Sequence, residues 1–256
     1  MLFKLLKYDF RAMWKQFSLV WGAALVMALV NRFVLFQDTD NAILSKDGLF
    51  MFAFVAVIVA MFVIAIGFVI NRFSTGLLGN EGYLMHTLPV RPWELVLSKL
   101  ICGTVTWVGC GVVAFLSPAL MLPLNLPDLL QFPFWSDIFQ GIMKHPDVLA
   151  LMAEFCLMVL ACIVQTIAAI YLSASVGHLI PRHKRLASIA AFIGLYVLLA
   201  NSYARFFFWD PFENLTDAVH NNIHLSLLTA SATMLLPAAL FLAAVCWILE
   251  HKLNLE

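Results

Sequence analysis

Long uncharged runs alternate with short polar segments along this 256-residue chain. A helix needs about 20 apolar residues to cross the hydrocarbon core of a bilayer. Six stretches meet that requirement: about 17–36, 48–70, 95–122, 148–176, 186–208 and 225–249. The second, GLFMFAFVAVIVAMFVIAIGFVI, carries no charge from Gly48 to Ile70. The third begins near Pro92, holds Lys99 where its long stem can snorkel to the interface, and carries Pro118 near its far end as an expected kink or stop. The fourth ends on Ser173, Ser175, Gly177 and His178, a polar tail expected to project beyond the lipid. Pro237 near the middle of the sixth removes an amide proton, so a neighbouring helix must satisfy the carbonyl it frees.

The first sixteen residues, MLFKLLKYDFRAMWKQ, read differently. Lys4, Lys7, Arg11 and Lys15 share one helical face, while Leu2, Phe3, Leu6, Phe10, Met13, Trp14 and Phe17 cover the other. That is an amphipathic helix suited to the membrane interface. No convincing cleavage site follows the next apolar run, so the segment is expected to be retained. The expected fold is an all-α membrane protein. Six transmembrane helices follow this interfacial helix in a single transmembrane domain, residues 1–256, with both termini cytoplasmic.

The orientation rests on charge. With the amino terminus inside, the cytoplasmic segments hold Lys4, Lys7, Arg11, Lys15, Arg72, Arg91, Lys99, Arg182, Lys184, Arg185 and Lys252. The other side holds Asp38, Asp40, Asp47, Asp128, Asp137, Asp147, Asp210, Glu213 and Asp217. This is the positive-inside distribution, and the run Phe206, Phe207, Phe208, Trp209 then falls at the outer interface. The basic knot Pro181-Arg182-His183-Lys184-Arg185 reads as a topology anchor for anionic lipid.

Composition removes whole classes of function. Hydrophobic residues make up 63% of the chain and charged ones 12%, and the mean hydropathy is +0.93. A disordered chain, a basic nucleic-acid binder and an ordinary cytosolic enzyme are excluded. Cys102, Cys110, Cys156, Cys162 and Cys246 lie in apolar runs without CxxC or His-flanked metal spacing, and read as small buried hydrophobes. There is no GxxxxGK[ST] phosphate loop, no HExxH and no GxSxG. The segments between spans, the longest being 71–94 and 123–147, are too short to hold a soluble domain with its own core.

Four clusters are candidates for function. Residues 71–94 are amphipathic, with Leu77, Leu78, Tyr83, Leu84, Met85 and Leu88 too apolar for a solvated loop, and Gly76, Gly79 and Gly82 permitting tight turns. Pro92 and Glu94 suit the first turn of the next helix. The physical reading is a short helix parallel to the membrane, which either docks a partner or only packs on lipid. Second, Arg32, Glu154 and Arg205 fall roughly 5 to 10 Å below the outer boundary of their spans, reckoned at about 1.5 Å per residue. Buried charges are costly and usually paired, so a Glu154 bridge to Arg32 or Arg205 is expected, with a substrate or gate contact as the alternative. Third, Ala169, Ser173 and Gly177 repeat every four residues and point to close helix packing within one subunit rather than a dimer seam. Fourth, Asp217, His220 and His224 share a helical face, but HNNIH lacks a catalytic Glu, and no metal site is assigned.

The run Glu81-Gly82-Tyr83-Leu84-Met85-His86-Thr87-Leu88-Pro89-Val90, with Ser98-Lys99 following at the start of the third span, resembles the loop of bacterial ATP-binding cassette exporter permeases of the type-2 superfamily, which often reads EGYLMxTLPV before a serine-lysine pair. His86 takes the variable position. The layout of basic helix, six spans and acidic outer segment is similar along essentially the whole chain. The resemblance implies that Glu81, Gly82, Tyr83, Leu84, Met85, Thr87, Leu88 and Pro89 form a coupling helix resting on a separate ATPase subunit. It implies a second permease subunit, identical or not, with the pathway between the two. ATP and Mg would belong to the ATPase, leaving this chain with no cofactor and no catalytic residue of its own. The expected role is export of a hydrophobic or amphipathic substrate (peptide, lipid or drug) across the bacterial plasma membrane, with lipid but not nucleic acid as a further partner. A ligand-binding immunity or sensor protein, a substrate-binding importer component and an ion-coupled carrier are the alternatives. The carrier should show two related halves, and none is visible.

Overall fold

The computed structural model describes residues 2–35, 46–78, 92–121, 146–180, 183–208 and 222–251. It is all-α: α1 (Leu2–Leu35), α2 (Lys46–Phe73), α3 (Pro92–Met121), α4 (Pro146–His178), α5 (Lys184–Phe208) and α6 (Ile223–His251). Each of the six is long and apolar enough to cross a membrane, so the chain is a multi-pass membrane protein. No strand occurs among the described residues.

Three boundaries differ from the sequence expectation, each for a reason visible in the burial pattern. The amphipathic segment and the first span form one uninterrupted helix rather than two elements. Met13, Phe17, Ala24, Ala28 and Asn31 are all buried, so one stripe at helical spacing continues across the expected break while Lys7, Arg11 and Lys15 stay exposed. Likewise α2 does not end near Ile70. Met61, Ala65, Val69, Phe73 and Leu77 are buried at every fourth position, and that stripe carries the helix into a π-helical turn, Ser74–Leu78. Residues 71–78 are therefore helix and not loop. The third difference is the polar end of α4: Ser173, Ser175 and Gly177 are buried in protein rather than projecting outward.

Contacts divide the chain into two compact units. The first comprises Lys7–Phe68 and Val105–Pro146. In it Phe17 meets Phe68 edge-on at 5.1 Å, and Phe62 lies 5.8 Å from Trp107. The Trp21 indole lies against Gly109, where a Cβ would overlap the ring, and its Nε1 reaches Cys110 Sγ at 3.4 Å. Here glycine is needed for space, because the indole occupies the room a side chain would take.

The second unit comprises Met1–Leu6, Val69–Thr104 and Asp147–Glu256. α4 and α5 join through a tight hairpin, with Leu179 N–H donating to the Val176 carbonyl and Ile180 N–H to that of Gly177. Gly177 sits where any Cβ would collide with the Ser188 side chain and come within 2.8 Å of the Lys184 carbonyl oxygen. With Ala169 and Ser173 also buried, the small-residue stripe packs inside the subunit as expected.

The proline in α6 is also accommodated. Pro237 lies inside an unbroken helix, and the carbonyl it deprives of a donor is four residues back, at Thr233. The Tyr203 hydroxyl of α5 donates to that carbonyl at 3.3 Å, and Gln165 Nε2 of α4 donates to Tyr203 at 2.6 Å. One proline thus ties three helices together through a directed chain of hydrogen bonds. Pro118 lies one turn before α3 ends.

Of the cysteines, Cys102 and Cys110 are buried as expected, and none forms a disulfide. Cys156 and Cys162 are exposed, which corrects their assignment to a protein core. An apolar run identifies an apolar surrounding, and on this part of α4 that surrounding lies outside the subunit.

Candidate functional site

The segment singled out by the sequence, Glu81 through Pro89 with Gly79 and Gly82, lies outside the described residues. The structure does describe both of its roots. On the α2 side, Phe73 is fully buried and stacks on Tyr171 of α4, with ring centroids 4.1 Å apart and planes 11° from parallel. Gly103 of α3 completes this layer, lying between Val69, Ile167 and the Tyr171 hydroxyl, where an added Cβ would come within 3.3 Å of the Val69 side chain. One turn on, Ser74 Oγ lies 3.4 Å from His178 Nε2 at the end of α4. The π-helical turn then turns Leu77 into the core, where it is fully buried. Such turns insert an extra residue and re-aim the side chains that follow.

On the α3 side, Pro92 opens the helix and Glu94 lies in its first turn, as the sequence predicts. Leu95, Val96, Ser98, Lys99 and Leu100 are all buried. Ser98 bonds back to the Leu95 carbonyl at 2.9 Å. Lys99 does not snorkel: it is 3% exposed, and its stem runs past Gly76. A charged side chain this buried is retained only with satisfied polar contacts, so Lys99 belongs to the internal structure of the root. Trp93 alone among the first residues of α3 turns a large apolar surface outward.

Two of the three outer charges have a described partner. Glu154 accepts from His224 Nδ1 of α6 at 2.8 Å, both groups being partly buried. His224 is thus a partner of Glu154 that the sequence reading did not name. Arg32 donates from Nη1 to the Leu120 carbonyl at 3.3 Å. That carbonyl is in the last turn of α3, where no intrahelical donor exists, so a cation there is favourable. Arg205 lies in the last turn of α5, and its side chain is outside the described part. Asp217 and His220 are also outside it, and His224 is committed to Glu154. Sequence reasoning missed the Gln165–Tyr203 pair, although the signal was present: Pro237 required a donor from a neighbouring helix, and Tyr203 is a polar residue at mid-span.

No family model, curated protein or solved structure matches this chain.

Proposed function

We propose that the chain is the permease subunit of an ATP-binding cassette exporter, working with a separate ATPase and a second permease subunit in a bacterial plasma membrane. The observation that carries this reading is mechanical. Both roots of the segment at 79–91 are held by buried side chains: Phe73 and Leu77 on one side, Ser98 and Lys99 on the other. A force applied to a segment so rooted is delivered to α2, α3 and α4 rather than lost in a loose loop. The motif residues Glu81, Gly82, Tyr83, Leu84, Met85, Thr87, Leu88 and Pro89 would supply the surface on which the ATPase pushes. Nucleotide closure of the ATPase would then move α2 and α3 and alter access along the seam between the two permease subunits. The cargo class that suits the apolar walls is a hydrophobic or amphipathic peptide, lipid or drug. Both termini would lie on the ATPase side, in keeping with the basic residues there.

The test is purification of the tagged full chain from its own membranes in mild detergent. An ATPase carrying a phosphate loop should co-purify, and Glu81→Ala and Tyr83→Ala should leave the permease folded while uncoupling nucleotide hydrolysis from export. Normal coupling in both variants, or a particle containing no ATPase, ends this reading.

A further inference from the structure

A cavity of about 230 Å³ opens between α4, α5 and α6, all within one compact unit. Ala169, Phe192, Tyr196, Ala200 and Met234 line it, together with Gln165, and no lining residue is charged. It lies near the middle of all three helices, and its rim at Tyr196 and Ala200 is exposed on the outward surface of α5. That surface is apolar, with Ile193, Val197 and Leu198 exposed, so the mouth faces hydrocarbon.

The polar floor has a defined direction. Pro237 leaves the Thr233 carbonyl needing a donor, so Tyr203 gives its proton there. Tyr203 therefore has only an acceptor left for Gln165, which fixes the amide with nitrogen toward Tyr203 and oxygen away from it. Gln165 is 8% exposed, and among the described residues no donor reaches its Oε1. The Thr166 hydroxyl, also on the wall, already donates to the Cys162 carbonyl. A carbonyl oxygen at mid-membrane without a donor is costly, so the cavity selects a molecule that brings one. A dry cavity of about 150 Å³ takes up benzene, so this one has room for a ring and a short chain.

We propose that this cleft is a lateral binding site for a small neutral apolar molecule bearing one hydroxyl, of the alkylphenol type, which enters from the bilayer and donates to Gln165 Oε1. The site involves none of the residues at 79–91 and stands or falls without reference to any ATPase.

The full chain in lipid nanodiscs would be irradiated with a diazirine-bearing alkylphenol, and the label mapped by mass spectrometry. Label should concentrate on 162–169 and 192–203. At equal concentration in the bilayer, 4-propylphenol should compete roughly fivefold to tenfold better than 4-propylanisole, which keeps the shape and loses the donor. Gln165→Leu should bring the two competitors within about twofold of each other, once the bond that separates them is gone. Ala200→Trp, which fills the cleft from its exposed rim, should abolish the concentrated label. If Gln165→Leu does not fold, the wild-type ratio and Ala200→Trp still decide. Label spread evenly over the lipid-facing helices, equal competition by phenol and ether in the wild type, or label persisting in Ala200→Trp would each overturn the proposal.

Discussion

Both halves of one membrane-spanning helix, α4, are apolar, the second less so, and they have opposite surroundings. From Val148 to Leu160 the large side chains face outward, with Leu149 53%, Met152 48% and Phe155 52% exposed. From Ile167 to Gly177 almost every residue is buried, Ile167 and Tyr171 at 0% and 1%. Hydrocarbon tails are as apolar as leucine, so hydrophobicity does not decide which half meets protein. Side-chain size does. The buried half reads Ala168, Ala169, Ser173, Ala174, Ser175 and Gly177 around Ile167, Ile170, Tyr171 and Leu172, which lets backbones approach, while the large side chains of the exposed half are Leu, Met, Phe and Val.

The sharpest way to break that contrast is Gly177→Val. Its Cβ would meet not only the Ser188 side chain but the Lys184 carbonyl, which belongs to the backbone of the α4–α5 hairpin and cannot rotate away. The expected loss is about 3 kcal/mol, read as a large drop in the thermal midpoint of the detergent-solubilised protein. Phe155→Leu, in the outward half, should stay within about 0.5 kcal/mol of the parent. Equal stability of the two variants would mean that the halves of α4 do not differ as described.

A middle-sized effect is expected where the helices are joined by polar groups rather than by close approach. Tyr203→Phe leaves the Thr233 carbonyl and the Gln165 amide each short of a partner, and should cost about 1 to 2 kcal/mol. Pro237→Ala returns an amide proton to the Thr233 carbonyl. In that background Tyr203→Phe should cost less, with a coupling of about 1 kcal/mol in a double-mutant cycle. Strict additivity would show that Tyr203 does not serve the proline.

Much of this fold was legible because a bilayer enforces it. Six apolar runs of sufficient length become six helices, and the four-residue repeat of Ala169, Ser173 and Gly177 marks their close contact. What hydropathy hides is which apolar environment a residue meets. Cys156 and Cys162 lie in apolar sequence and face outward; Lys99 lies near a helix start and is buried. The end of α2 was misplaced for a related reason. Asn71, Arg72 and Ser74 look like a loop, but Phe73 and Leu77 continue the buried stripe beneath them, so packing overrides local polarity. Matching charge only with charge overlooks His224 as a partner for Glu154. His224 was weighed as a metal ligand, yet it lies in the first turn of α6, within reach of α4.

That pair gives the smallest predicted effect and the most informative one, because it pins the outward half of α4. The Glu154–His224 bond joins α4 to α6 in a region where few other α4 side chains are buried. Hydrogen bonds between membrane helices average about 0.6 kcal/mol in double-mutant cycles, so Glu154→Ala and His224→Ala should each destabilise by about that amount. The double variant should be little worse than either single one, since both remove the same bond. Glu154→Gln keeps an acceptor for the imidazole, and should retain most of the stability if the role is to hold α4 against α6. If the chain is the exporter subunit proposed above, export by that variant separates structure from transport. Normal export with retained stability would make Glu154 a tether, whereas lost export in a stable protein would show that its charge acts on the cargo or the gate.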